Sequence, residues 1–263
     1  MPLVLIPGLL AAGIGSLVSI GMGSWTGLSG ANISLGTLPL PAFTRPDLVD
    51  FVWTIPLAVA VAVATVAFFR GGREIQRLAE WRMFLVLPAI GLAVSGLAIA
   101  FSEATGKSVS DVQYSGQDQV AGLVSHAGSW SLSALALLIA FKGVAYALSL
   151  GSFRGGPTFP AIFLGAAGGL MAAQLPGFST TPAVAVCIGA AVVAALRLPL
   201  TAVVLATLFT FKAGLGAGPL IILAVAVAYV TTNLISAPPS AAETAGPGNS
   251  STAQAPAAAA AGP

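Results

Sequence analysis

The sequence predicts an all-α, polytopic membrane protein built in part from tilted, broken or re-entrant helices. Three observations predict it. Hydrophobic residues make up 57% of the 263-residue chain and charged residues only 7%, whereas soluble domains carry roughly a quarter charged residues. So few charges cannot cover a water-facing surface. Long apolar runs recur along the chain, and a helix needs about 20 apolar residues to cross a bilayer. Several later runs are shorter and interrupted by glycine and proline, the pattern of segments that meet inside the protein instead of spanning alone.

The first run, Leu3–Met22, has no basic lead and no clear cleavage site, so it reads as a membrane segment and not as a secretory signal. It starts with almost no cytoplasmic lead, as expected of a truncated or split gene. Phe51–Phe69, Met83–Phe101 and Leu132–Leu150 are each long enough to span. Ala161–Leu175, Pro182–Leu196, Leu200–Phe211 and Leu220–Ile235 follow, several of them too short for a full crossing. The expected membrane domain is therefore residues 1–235. The rest, 236–263, is rich in Ala, Pro, Gly and Ser and lacks the apolar bulk that offsets ordering entropy, so it is expected to be disordered.

Orientation is read from the connections. RGGREIQRLAEWR places Arg70, Arg73, Arg77 and Arg82 against Glu74 and Glu80, the strongest basic cluster in the chain. The positive-inside rule assigns it to the cytoplasm, as a linker or an interfacial amphipathic helix. The segments Ser24–Asp50 and Ser102–Trp130 are then expected to face outward. The expected location is the cell membrane, crossed several times.

Composition also excludes functions. A net charge of +2 gives no footprint for nucleic acid. The single cysteine, Cys187, lies in an apolar run and suits a core position. The single histidine, His126, lies in a polar segment, and neither a metal-ligand cluster nor a serine–base pair is present. No enzyme activity, metal or cofactor is expected.

The stretch LGSFRGGPTFPAIFLGAAGG, Leu150–Gly169, interrupts the apolar pattern. Proline costs little in a first helical turn, so Pro157 and Pro160 mark a helix start with AIFLGAAGG as its body. Glycines before them let the chain turn and let other groups approach. A helix that starts within the membrane aims unpaired N–H groups and the positive end of its dipole inward, which attracts an anion. Arg154 and Lys142, cations at or near membrane depth, are candidates for pore electrostatics; Lys142 otherwise snorkels to an interface. The alternative is a Pro/Gly kink that serves packing. Ser108 and Asp111 have the spacing of a capping box. Ser115, Gln117 and Asp118 are weaker candidates for a vestibule lining.

RGGPTFPAIFLGAAGG also resembles the pore signature of the CLC chloride channels and transporters, a GG followed by GxFxP. Downstream, VCIGAAVVAALRLPLTAVVLATLFT is similar to that family's small-residue helix, basic-x-Pro-Leu-Thr turn and next helix. PGLLAAGIGSLV and DVQYSGQDQV are compatible but weaker matches. The resemblance extends over about Leu3–Ile235 and covers the second inverted repeat of the family's membrane domain, plus one preceding helix. It implies transport of chloride or a similar small anion, an anion site at Gly155, Gly156, Thr158 and Phe159, and a homodimer. The first-repeat motifs, including the one that carries the gating glutamate, have no counterpart. Pro157 and Thr158 stand where the family has an apolar residue and phenylalanine, and Phe159 falls one place late. Pro157 has no N–H, so one anion donor of the family is missing. Tyr229 does not match the family's anion-ligating tyrosine and reads as a packing residue. The resemblance leaves two functions open: chloride transport as a channel or transporter, or a non-conducting half that needs a separate N-terminal half.

Overall fold

In the computed structural model, residues 2–26, 36–153 and 155–236 are described. Arg154 and the tail from residue 237 lie outside the described residues, as does the segment 27–35. Every apolar run of the sequence is a helix: α1 (Pro2–Thr26), α2 (Leu48–Trp81), α3 (Met83–Thr105), α6 (Leu132–Ser152), α7 (Thr158–Ala172), α8 (Thr180–Leu196), α9 (Pro199–Thr210) and α10 (Gly218–Ser236). Two short helices, α4 (Ser110–Gln113) and α5 (Gln119–Ser125), fold the polar segment between α3 and α6. No strand occurs among the described residues. Four helices there are long and apolar enough to cross a membrane, at 48–81, 83–105, 132–152 and 215–236.

The core is α8. Every residue from Thr181 to Ala194 is buried. A helix that is apolar all round has no face to give to water, and this one is enclosed by α7, α2, α10 and α9. Its Ala, Val and Gly side chains let those neighbours come close. On α7, a Cβ added at Gly165 would lie 2.7 Å from the Cys187 carbonyl oxygen, and one at Gly169 would lie 2.8 Å from Ala183 O. These two glycines, four apart, set backbone against backbone in the small-xxx-small manner of membrane helices. Cys187 is fully buried in α8 with no disulfide, in agreement with a core position.

The helices α7, α8 and α9, of 15, 17 and 12 residues, measure about 18 to 26 Å at 1.5 Å per residue. They fall short of a hydrocarbon core about 30 Å thick. The turn between α8 and α9 is tight: Arg197 caps α8 at φ 56° and Pro199 opens α9. A non-glycine residue in the left-handed region carries strain of about 1 kcal/mol or more.

The arginine-rich stretch after Phe69 is not a separate linker. It continues α2 without a break to Trp81, for 34 residues in all, about 51 Å. Glu74 accepts from Arg77 at 2.8 Å and Glu80 from Gln76 at 3.0 Å, pairs one turn apart that support helix where apolar burial ends. At the opposite end of the bundle, an extended strap ties helix ends together. Leu38 N–H donates to Phe209 O, Phe43 N–H to Ala213 O, and Thr181 Oγ1 to Pro41 O.

Candidate functional site

The break before α7 is built from local chemistry. Pro157 and Pro160 lack N–H groups, so the first turn loses two of its donors without loss of a helical bond. Ala161 N–H donates to Pro157 O at 3.3 Å and starts the ladder. No acceptor among the described residues takes the N–H of Thr158 or Phe159. The preceding helix α6 ends at Ser152, and Phe153 caps it through Ser149 O.

A cavity of about 340 Å³ opens at this helix start. Gly155, Gly156, Phe159 and Pro160 form one side of it, Lys142, Tyr146 and Ser149 of α6 a second, and Gln113–Ser115 a third. The sequence candidates Gly155, Gly156, Phe159 and Lys142 thus come together in one place. Thr158 is half-buried and does not line the cavity. Arg154 lies outside the described residues. Ser115 lines the cavity, whereas Gln117 and Asp118 do not. Tyr229 packs against the main core, away from this site. His126 is exposed, and its Nδ1 lies 3.1 Å from Gly122 O.

Gly155 and Gly156 do not hold the left-handed conformations that would require glycine. Among the described residues nothing lies within 4 Å of a Cβ built on either one. Their lack of a side chain gives the cavity room at the helix start.

Lys142 is 1% exposed and lies in the middle of α6. Its ammonium donates to Asp111 O at 2.6 Å and to Tyr114 O at 2.8 Å, and sits 4.2 Å from the centre of the Phe163 ring. The polar segment between α3 and α6 is therefore tied to α6 at this point, and the lysine satisfies two of its carbonyl groups. Buried irregular backbone needs such partners. Gly116, at φ 93°, seats the same segment on Phe163, where an added Cβ would come within 2.6 Å of the ring. The expected capping box is partial: Ser108 Oγ accepts from Ser110 N–H at 3.3 Å. Burial raises the Asp111 carboxyl above its ordinary value, against the opposing pull of Lys142 and Lys107.

Tyr146 and Ser149 were not singled out in the sequence. The Tyr146 hydroxyl donates to Pro157 O at 3.2 Å and its ring packs edge-on against Phe69. It fixes the carbonyl at the head of α7. A signal existed: Lys142, Tyr146 and Ser149 follow an i, i+4, i+7 spacing, a polar stripe down one face of an apolar helix.

Lys142 is the one charged side chain among the described lining residues. The N-terminal end of α7 borders the same space. Among the described residues no group of acidic, His or Cys side chains is arranged to hold a metal ion. The chain is thus a polytopic helical membrane protein in which a short apolar helix starts at a cavity. Residues 1–233 match the sequence model of the voltage gated chloride channels, and the chain belongs to that family. Comparison with curated proteins and with solved structures gave no match.

Proposed function

We propose that this chain contributes to a path for chloride or a similar small anion across the cell membrane, with the anion held at the cavity before α7. The observation that carries this is the lining of the cavity: the glycines before α7, the first turn of α7 and the buried Lys142 border it, and among the described residues no carboxylate does. An isolated helix N-terminus supplies roughly half an elementary charge. That attraction is modest beside the cost of desolvating an ion, so the ion needs the surrounding polar wall as well.

A second reading rests on the cavity rim. Tyr114, Ser115, Phe153, Gly155 and Gly156 are exposed there, so the cavity has an open mouth that the described residues do not close. In this reading the chain is the C-terminal half of the anion path and conducts only when a facing N-terminal half joins it. A homodimer fits either reading: α9 presents Leu200, Val204 and Leu208, and α10 presents Ile222, Val230 and Leu234, all exposed and apolar.

Chloride efflux from liposomes that contain the purified chain separates the two. Efflux that falls with Gly156→Val and is unchanged by Tyr229→Phe supports transport by this chain through this cavity. Gly156→Val places its side chain in open space, so the fold is expected to hold. Little or no efflux that rises when a facing half is supplied supports the second reading. Efflux indifferent to Gly156→Val overturns the site.

A further inference from the structure

A second pocket, of about 180 Å³, lies between α2, the end of α8 and the end of α10. It shares no residue with the cavity at α7. Arg70, Arg73 and Arg197 line it, over apolar walls that include Phe69 and Ala195. Three arginines that face one small space repel each other unless something negative lies between them. Among the described residues the one ion pair within 4 Å is Arg77–Glu74, so no carboxylate neutralises these three. Arg70 is held in place by its donation to Ile235 O at the end of α10. Arg197 occupies the left-handed position that caps α8, where glycine is the favoured residue. The chain accepts that strain and keeps a guanidinium there.

The depth of the pocket points to its occupant. From Leu48, about 20 residues of α2 cover a hydrocarbon core about 30 Å thick, and this count ends near Phe68. Arg70 and Arg73 come within the next turn and a half, at the level of the lipid phosphates. The end of α10 meets them there. We propose that this pocket is a phosphate site at the membrane surface. It recognises the phosphate of an anionic phospholipid headgroup or a free phosphate ion through paired guanidinium N–H groups, which match phosphate oxygens in a forked geometry. The basic cluster of α2 puts it on the cytoplasmic side, where anionic lipids draw juxtamembrane arginines. This site goes beyond the anion path and does not depend on it.

The test is the thermal unfolding midpoint of the purified full chain in micelles. The additives are short-chain phosphatidylglycerol, phosphatidylcholine of the same chain length, and inorganic phosphate. Phosphatidylglycerol is expected to raise the midpoint by at least about 5 °C at a hundredfold excess over its dissociation constant, and phosphatidylcholine to do much less. If inorganic phosphate protects equally, the site is assigned to the free ion; if it does not, to the headgroup. Arg197→Gly is expected to keep or raise the midpoint without additive, since glycine suits φ 56°, and still to abolish the additive's effect. Arg73→Gln is expected to abolish it as well, and Arg77→Gln, outside the pocket, to leave it intact. No protection by any phosphate compound, or protection that survives Arg197→Gly and Arg73→Gln, overturns the proposal.

Discussion

Gly168→Ala and Gly169→Ala add the same methyl group to adjacent positions of α7, and opposite effects are expected. A Cβ at Gly168 meets nothing within 4 Å. There the substitution keeps only the helix-propensity gain, up to about 1 kcal/mol. A Cβ at Gly169 falls on the α8 backbone, against Val184 Cα and 2.8 Å from Ala183 O and Val184 N. No side chain can rotate away to make room. The α8 backbone cannot retreat either, because α2, α9 and α10 occupy its other sides. Overpacking of this kind costs about 3 kcal/mol, which leaves a net loss of about 2 kcal/mol after the propensity gain. The two variants therefore separate by about 3 kcal/mol, in opposite directions from the parent. Reversible unfolding in mixed micelles of increasing SDS content measures the difference. Equal stabilities, or Gly169→Ala as stable as the parent, would refute the backbone-to-backbone seating of α7 on α8.

Lys142→Met removes the donor for Asp111 O and Tyr114 O while it keeps the volume of the side chain. Two carbonyls lose charge-assisted bonds worth about 1.5–3 kcal/mol each, so faster hydrogen exchange is expected over residues 110–116 and unchanged exchange in α8. Slow exchange retained across 110–116 would count against the lysine as the anchor of that segment. For topology, a single cysteine placed at Arg77 is expected to resist an impermeant thiol reagent in intact cells and to react after permeabilisation. Ready labelling in intact cells would invert the orientation drawn from the arginine cluster.

The eight apolar runs marked the spanning and half-spanning helices to within a few residues at every end but the C-terminal end of α2, because in a bilayer a run of apolar side chains has few other structures open to it. The cavity was legible in part. RGGPTFP announced a helix start, and Gly155, Gly156 and Phe159 do border the space before it. Elements that depend on polar contacts were hidden. The passage of α2 through Arg70–Trp81 rests on side-chain pairs one turn apart, which a hydropathy reading takes for a linker. The helix α4 rests on Lys142 and the turn at Gly116 that leads into α5 rests on Phe163, both distant in sequence. The meeting of Arg197 with Arg70 and Arg73 joins residues more than a hundred positions apart, and no local pattern encodes it.

The glycine seam between α7 and α8 has a mechanical consequence. Where two backbones touch with no side chains between them, there are no rotamers to flex and no layer to shear. The pair behaves as a single stiff keel, and the head of α7 is fixed to it. Any widening or narrowing of the cavity must then come from the other wall. That wall is α6 with the 112–115 segment, and its tether is a four-carbon lysine side chain that ends on two carbonyls. The stiff side fixes where the head of α7 stands, and the compliant side sets how much room the cavity has.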